Sequence, residues 1–168
     1  MSWILFPLHP EIPPGGVTLE QLFGGPRERF EPMLQRLRDL AREQELPFGE
    51  VDHIPNTRLA QQLAKWAESQ PGGSAIHRAL FRAYFVDGQD IGEAEVLAQI
   101  AGRVGLDRGV ALRSLQERDF AAAVDADWRH AREVGVTAVP TFLSGQAAVV
   151  GAQPYAALER LVTRAGQQ

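Results

Sequence analysis

Apolar side chains open the chain as one short dense block, Trp3-Ile4-Leu5-Phe6-Pro7-Leu8, which predicts a strand. Pro7 lacks a backbone donor and confines the end of that strand to an edge or irregular position. His9 to Gly16 holds three prolines and two glycines and reads as an extended connection. Thr18 then caps a short helix that stops at Gly24-Gly25. From Pro26 the spacing turns to three and four and stays helical for about a hundred residues. Phe30, Met33, Leu34, Leu37, Leu40 and Ala41 predict one buried helix face, with Pro26 in the first turn and Pro47 just past the end. Asn56 caps a helix whose inner face is Leu59, Ala60, Leu63, Trp66 and Ala67. Pro71-Gly72-Gly73 breaks it, and Ser74 starts the next, with Ile76, Leu80, Ala83 and Tyr84 inward. Asp90 and Glu93 form a capping-box pair ahead of Val96, Leu97, Ile100 and Val104. Asp107 caps a short helix through Leu115, and Phe120, Val124, Trp128 and Ala131 stripe the last of the run.

After Gly135, a natural helix stop, the period changes. Thr141-Phe142-Leu143 and Ala147-Ala148-Val149-Val150 read as two strands joined by a turn around Ser144-Gly145. Pro154 opens a closing helix with Leu158, Leu161 and Val162 inward. Strand, long helical block, hairpin and helix make an α/β chain. Residues 1-25 and 132-168 form its core, and 26-131 an inserted all-helical domain.

Composition narrows the function. A formal net charge of −4 offers no basic field for phosphates, which excludes nucleic acid as the partner. No apolar run approaches the ~20 residues that span a bilayer, and no basic segment precedes Trp3–Leu8 as a secretory signal would require. A cytoplasmic protein is expected, with no membrane partner. There is no cysteine, so this chain has no thiolate nucleophile, disulfide or thiolate metal site of its own.

The most specific stretch is Gly135-Val136-Thr137-Ala138-Val139-Pro140-Thr141-Phe142, followed by the hairpin, Gly151-Ala152-Gln153 and a helix. It resembles the C-terminal half of thioredoxin-fold proteins of the DsbA type, in which a small or β-branched residue precedes a cis-proline opening a strand. Pro7-Leu8-His9-Pro10-Glu11-Ile12-Pro13 resembles the segment after the second core strand in the FrnE-like branch. Pro55-Asn56-Thr57-Arg58-Leu59-Ala60 and Leu80-Phe81-Arg82-Ala83-Tyr84-Phe85 resemble its helical insertion, and Asp90-Ile91 with Val96-Leu97 continues the match. That branch is related to 2-hydroxychromene-2-carboxylate isomerase and kappa-class glutathione transferase.

The resemblance implies a thioredoxin-like fold. It also implies a cis Val139–Pro140 bond, although only ~5–6% of X–Pro bonds in folded proteins are cis. In relatives such a bend presents the backbone of the preceding residue to an extended peptide or to glutathione, which pairs with it as a short β-ladder. Carried over, Val139 and Pro140 are the substrate-binding residues, with Asn56 a further contact. The expected partner is a peptide or thiol-containing substrate. No cofactor is implied, glutathione being the one candidate.

Family members begin with a core strand and a helix whose first turn carries Cys-X-X-Cys, or a serine in the glutathione-using relatives. By that pattern this chain starts at the second strand, so the fold is incomplete and N-terminally truncated, its first strand and active-site helix absent. No catalytic residue can be assigned. Three remedies for the unpaired strand edges are open: pairing of Trp3–Leu8 with the hairpin, strand exchange in a homodimer, or another partner in the slot. The function implied is that of a thiol–disulfide oxidoreductase or isomerase that is inactive without redox cysteines. The alternatives are a non-catalytic peptide- or glutathione-binding module and a glutathione-dependent isomerase relative.

Other polar residues read blandly. His9, His53, His77 and His130 lack metal-ligand spacing. Glu93/Glu95 and Asp125/Asp127 lie two apart on helices and diverge. Trp66, Trp128 and Tyr84 fall on apolar faces and read as core, and Asn56 is most simply a helix cap.

Overall fold

A computed structural model describes residues 2–165. The chain divides into two compact units, one of Met1–Leu8 with Asp125–Gln168 and the other of His9–Val124. Residues 9–25 therefore pack with the helical block.

In the helical unit, β1 (Val17–Thr18) leads directly into α1 (Leu19–Phe23). Thr18 and Gln21 form a reciprocal capping box at the start of α1, and Gly24 ends it in the left-handed region at φ 66°. A 3-10 turn at Arg27–Arg29 precedes α2 (Glu31–Glu43), and β2 (His53–Ile54) pairs antiparallel with β1. Then follow α3 (Arg58–Glu68), α4 (Ala75–Phe85), α5 (Ala94–Arg103) and α6 (Arg108–Glu117), and α7 (Ala121–Glu133) carries the chain out of the unit.

Helices α3 to α6 pack on one another around Leu63, Ile76, Leu97 and Ile100, each at most 1% exposed. Alanines 64, 67, 98, 101 and 111 are buried between them. Such small side chains let helix axes approach closely. Asp107 caps α6 as its sequence position predicts, accepting from the Val110 N–H at 2.8 Å. The Asp90/Glu93 pair does not form a capping box. Asp90 Oδ1 accepts instead from Gly92 N–H, and Glu93 makes no side-chain cap. An Asx turn two residues on competes with a cap for the same carboxylate.

Helix α2 corrects a second expectation. Phe30 and Leu34 are buried with Leu19, and Ile54 packs against them. Met33, Leu37 and Leu40, however, are 42%, 44% and 48% exposed. Periodicity identifies the apolar side of a helix but not whether anything covers all of it.

The start of α2 is held by charge. Glu31 accepts from Arg38 at 2.7 Å and from Arg27 at 3.1 Å, and Arg27 also pairs with Asp52. The Arg38 bond first, and the Arg27 bond second, hold the Glu31 carboxyl below its ordinary value of 4.5. A carboxyl depressed in the folded state adds stability above its unfolded pKa and loses it as pH falls through the folded one. The urea midpoint is therefore expected to fall as the pH drops below that ordinary value. Glu31→Gln should remove that share of the acid slope, and salt near 1 M should shrink it, because the group is exposed.

The other unit holds the hairpin β3 (Thr141–Ser144) and β4 (Ala147–Val150), in register from Thr141↔Val150 to Ser144↔Ala147, and α8 (Tyr155–Ala165) packed on both strands. Gly145, at φ 60°, opens the two-residue turn with Gln146. Glycine at the first central position matches the twist of the flanking strands. Phe142 and Val149, on one face, are half-buried, whereas Leu143 and Val150 on the other are 48% and 53% exposed. In α8 Leu161 is buried as expected, Leu158 is half-buried, and Val162 is 67% exposed.

Trp3–Leu8 is not a strand, and among the described residues the hairpin sheet has two strands only. Direct pairing of Trp3–Leu8 with the hairpin is thus not formed. The Leu5 N–H donates instead to Asp127 Oδ2 at 2.9 Å, and Pro7 has no donor to give. Without a neighbouring ladder, apolar β-formers do not make a strand.

Candidate functional site

The Val139–Pro140 bond is cis and lies in a bend between α7 and β3. The local hydrogen bonds leave the Val139 backbone open. Thr141 Oγ1 donates to the Ala138 carbonyl at 2.6 Å, and the Gly151 N–H donates to the Pro140 carbonyl at 2.8 Å. Between them, the N–H and C=O of Val139 meet no backbone partner among the described residues. Val139 is 45% exposed. An exposed residue with both backbone groups unused, beside a two-stranded sheet, is a starting point for strand addition.

Asn56 lies in the helical unit. Its Nδ2 donates to the Ile12 carbonyl at 2.5 Å and its Oδ1 accepts from the Arg58 N–H at 2.9 Å. The side chain thus ties the segment containing Pro10 and Pro13 to the start of α3, while Pro55 beside it is fully buried. Gly92 fits against this knot, since a Cβ there would meet Asp90 Oδ1, the Asn56 carbonyl and Pro55. Around it opens a pocket of about 260 Å³, lined in part by Pro14, Asn56, Gln62 and Arg118. The structure thus keeps Val139 and Pro140 together and gives Asn56 a backbone-holding role beside a pocket. Gln62 and Arg118 went unnoticed in the sequence because Gln62 reads as a surface position and Arg118 as a helix end.

The DSBA-like thioredoxin domain profile matches residues 1–163. The chain belongs to that family. YwbO, an uncharacterized protein of Bacillus subtilis (strain 168), is 30% identical over 120 residues, which make up 71% of this chain and 60% of YwbO. The match therefore spans less than two thirds of that relative. A probable DsbA oxidoreductase from Streptomyces coelicolor has a similar structure, with TM-score 0.84 and 24% identity over 96% of this chain and 73% of that one. A 2-hydroxychromene-2-carboxylate isomerase superposes with TM-score 0.71 and 20% identity, over 89% of this chain and 76% of the isomerase. These likenesses show the thioredoxin-like fold with a helical insertion.

Within this DSBA-like chain the remaining polar residues have structural work. His9 lies 3.1 Å from Glu11, His53 3.3 Å from Asp90 and His77 3.2 Å from Glu68. Among the described residues no three His, Asp or Glu side chains converge as metal ligands would. Trp66 is buried, and Tyr84 sits edge-on to Phe85 with ring centroids 4.7 Å apart. Burial pushes the Tyr84 hydroxyl up to about 12, so it stays protonated at neutral pH. Among the described residues no helix of this DSBA-like chain is long and apolar enough to cross a membrane.

Proposed function

We infer that this chain is a redox-silent DSBA-like protein that holds an extended peptide or thiol-containing ligand along Val139 and Pro140 without oxidising or isomerising it. The observation that carries the reading is the open Val139 backbone in a chain of 168 residues with no cysteine. Dithiol exchange needs an attacking thiolate and a leaving one, and this chain supplies neither. Strand addition needs only free amide and carbonyl groups and room for side chains, which the bend offers. Asn56 enters this reading as a positioning residue that fixes the start of α3, since both its polar atoms are held by backbone groups.

Two measurements test it. Insulin reduction and dithiol oxidation by the purified chain are expected to stay at the level of a protein-free control, and turnover above it overturns the claim of redox silence. Binding of reduced, extended peptides is expected to be saturable. Val139→Pro should abolish it by deleting the N–H, and Val139→Ala, which keeps the N–H, should reduce it by less than about tenfold, or ~1.4 kcal/mol. Equal binding by both variants would place the ligand elsewhere.

A further inference from the structure

Helix α2 carries an apolar stripe that its own unit leaves largely uncovered. Met33, Leu37 and Leu40 recur at four and three, so they share one side of the helix, and all three are exposed. Leu46, just past the helix end, is a fourth apolar side chain in the open, at 62% exposure. Glu45, at φ 53°, turns the chain back so that the Leu46 N–H reaches the Ala41 carbonyl at 2.8 Å, which holds Leu46 against the last turn. Single exposed apolar residues are ordinary, but a contiguous row of them marks an interaction surface.

The charges of α2 say what covers the stripe. Glu31 pairs with Arg27 and Arg38, and Asp39 pairs with Arg42. Arg36 and Glu43 are the other two charged residues of the helix. Both are exposed, and neither side chain makes an ion pair or hydrogen bond among the described residues. They stand seven residues apart, close to two turns, and so lie on one flank of the stripe. A flank that reads positive and then negative is its own complement when a second copy is turned end for end. Arg36 of each copy then meets Glu43 of the other. A different protein would have to offer the reverse order of charge at the same spacing, which α2 already has.

We propose that α2 is the interface of a homodimer, in which the two copies of the helix lie antiparallel about a two-fold axis. The axis passes beside Leu40, because it must run midway between Arg36 and Glu43. That midpoint is also midway along the chain between Met33 and Leu46, so one axis serves the charged pairs and the apolar row together. Such a contact is isologous, each patch meeting its own copy. One helix face from each side makes a small interface, so the dimer is weak and forms with concentration. None of these residues lies in the Val139 bend, so the proposal stands apart from the reading above.

Sedimentation equilibrium of the full chain between ~1 µM and ~1 mM tests it. A reversible monomer–dimer equilibrium is expected for the wild type. Leu40→Gln should weaken it about tenfold or more, and so should Arg36→Glu and Glu43→Arg, each of which sets like charges together at both ends of the contact. The two charge variants are expected to melt as the wild-type monomer does, because the side chains they replace are exposed and unpaired. The decisive sample is an equimolar mixture of Arg36→Glu and Glu43→Arg. In the mixed dimer both contacts again join opposite charges, so the mixture should associate about fivefold or more tightly than either variant alone. A wild-type chain that stays monomeric to ~1 mM overturns the proposal and leaves the face to another molecule. A dimer indifferent to both charge reversals also overturns it, since the contact would lie elsewhere, as strand exchange at the hairpin would place it. A mixture no tighter than its components does the same.

Discussion

Gly73→Ala is expected to lower the thermal midpoint of the helical unit sharply, while Gly15→Ala leaves it close to wild type. Gly73 is buried in the break between α3 and α4, where its N–H donates to the Gln70 carbonyl and its own carbonyl accepts from the Ile76 N–H. A Cβ there would overlap the carbonyl group of Ala67, at the end of α3, and come within 3.1 Å of the Gln70 carbonyl oxygen. These obstacles are backbone, which cannot turn aside as a flexible side chain does, so the α3–α4 connection must shift as a whole. Overpacking of this kind costs about 1–3 kcal/mol and occasionally more. At ~2–4 °C per kcal/mol for a chain of this size, the midpoint should drop by several degrees. At Gly15 an added Cβ would meet nothing within 4 Å, and no left-handed φ constrains the residue, which makes it the matched control. Circular dichroism melts decide the matter, and equal midpoints for the two variants would contradict the packing described.

Leu97→Ala should cost still more. Leu97 is 0% exposed on α5, the helix that packs against α3, α4 and α6 together. Truncating it removes a buried side chain and leaves a cavity that three neighbouring helices cannot all close. Such substitutions cost about 2–5 kcal/mol, against a total stability of about 5–15 kcal/mol for a typical domain. Leu97→Met keeps the volume and should cost under about 1.5 kcal/mol. Urea unfolding of the three proteins measures both values. A Leu97→Ala loss below that of Leu97→Met would mean that α5 is not the centre of the bundle.

The candidate site was only half legible. Val139 and Pro140 could be singled out because the family motif is contiguous, Gly135 to Phe142, and the hairpin after it follows from local alternation and Gly145. That the Val139 backbone is left open could not be read, because it depends on where Thr141 Oγ1 and the distant Gly151 N–H are spent. Asn56 reads equally as a cap or a contact. Its amide turns out to hold Ile12, 44 residues away. Gln62 and Arg118 escaped notice because no local pattern marks a polar side chain as buried or an arginine as standing in a glycine's backbone region.

What the chain carries in its own order of residues is the set of helices α1 to α8, the hairpin, the absence of thiols and the family motif. Each is decided within a few neighbours by a repeat of 3.6 or 2, a turn residue or a missing side-chain type. Only the tertiary structure decided that Trp3–Leu8 forms no strand, that the stripe on α2 is half uncovered, and that Val17–Thr18 finds His53–Ile54 as its partner. A backbone amide or an apolar stripe specifies what it needs, and residues far along the chain determine whether it is met.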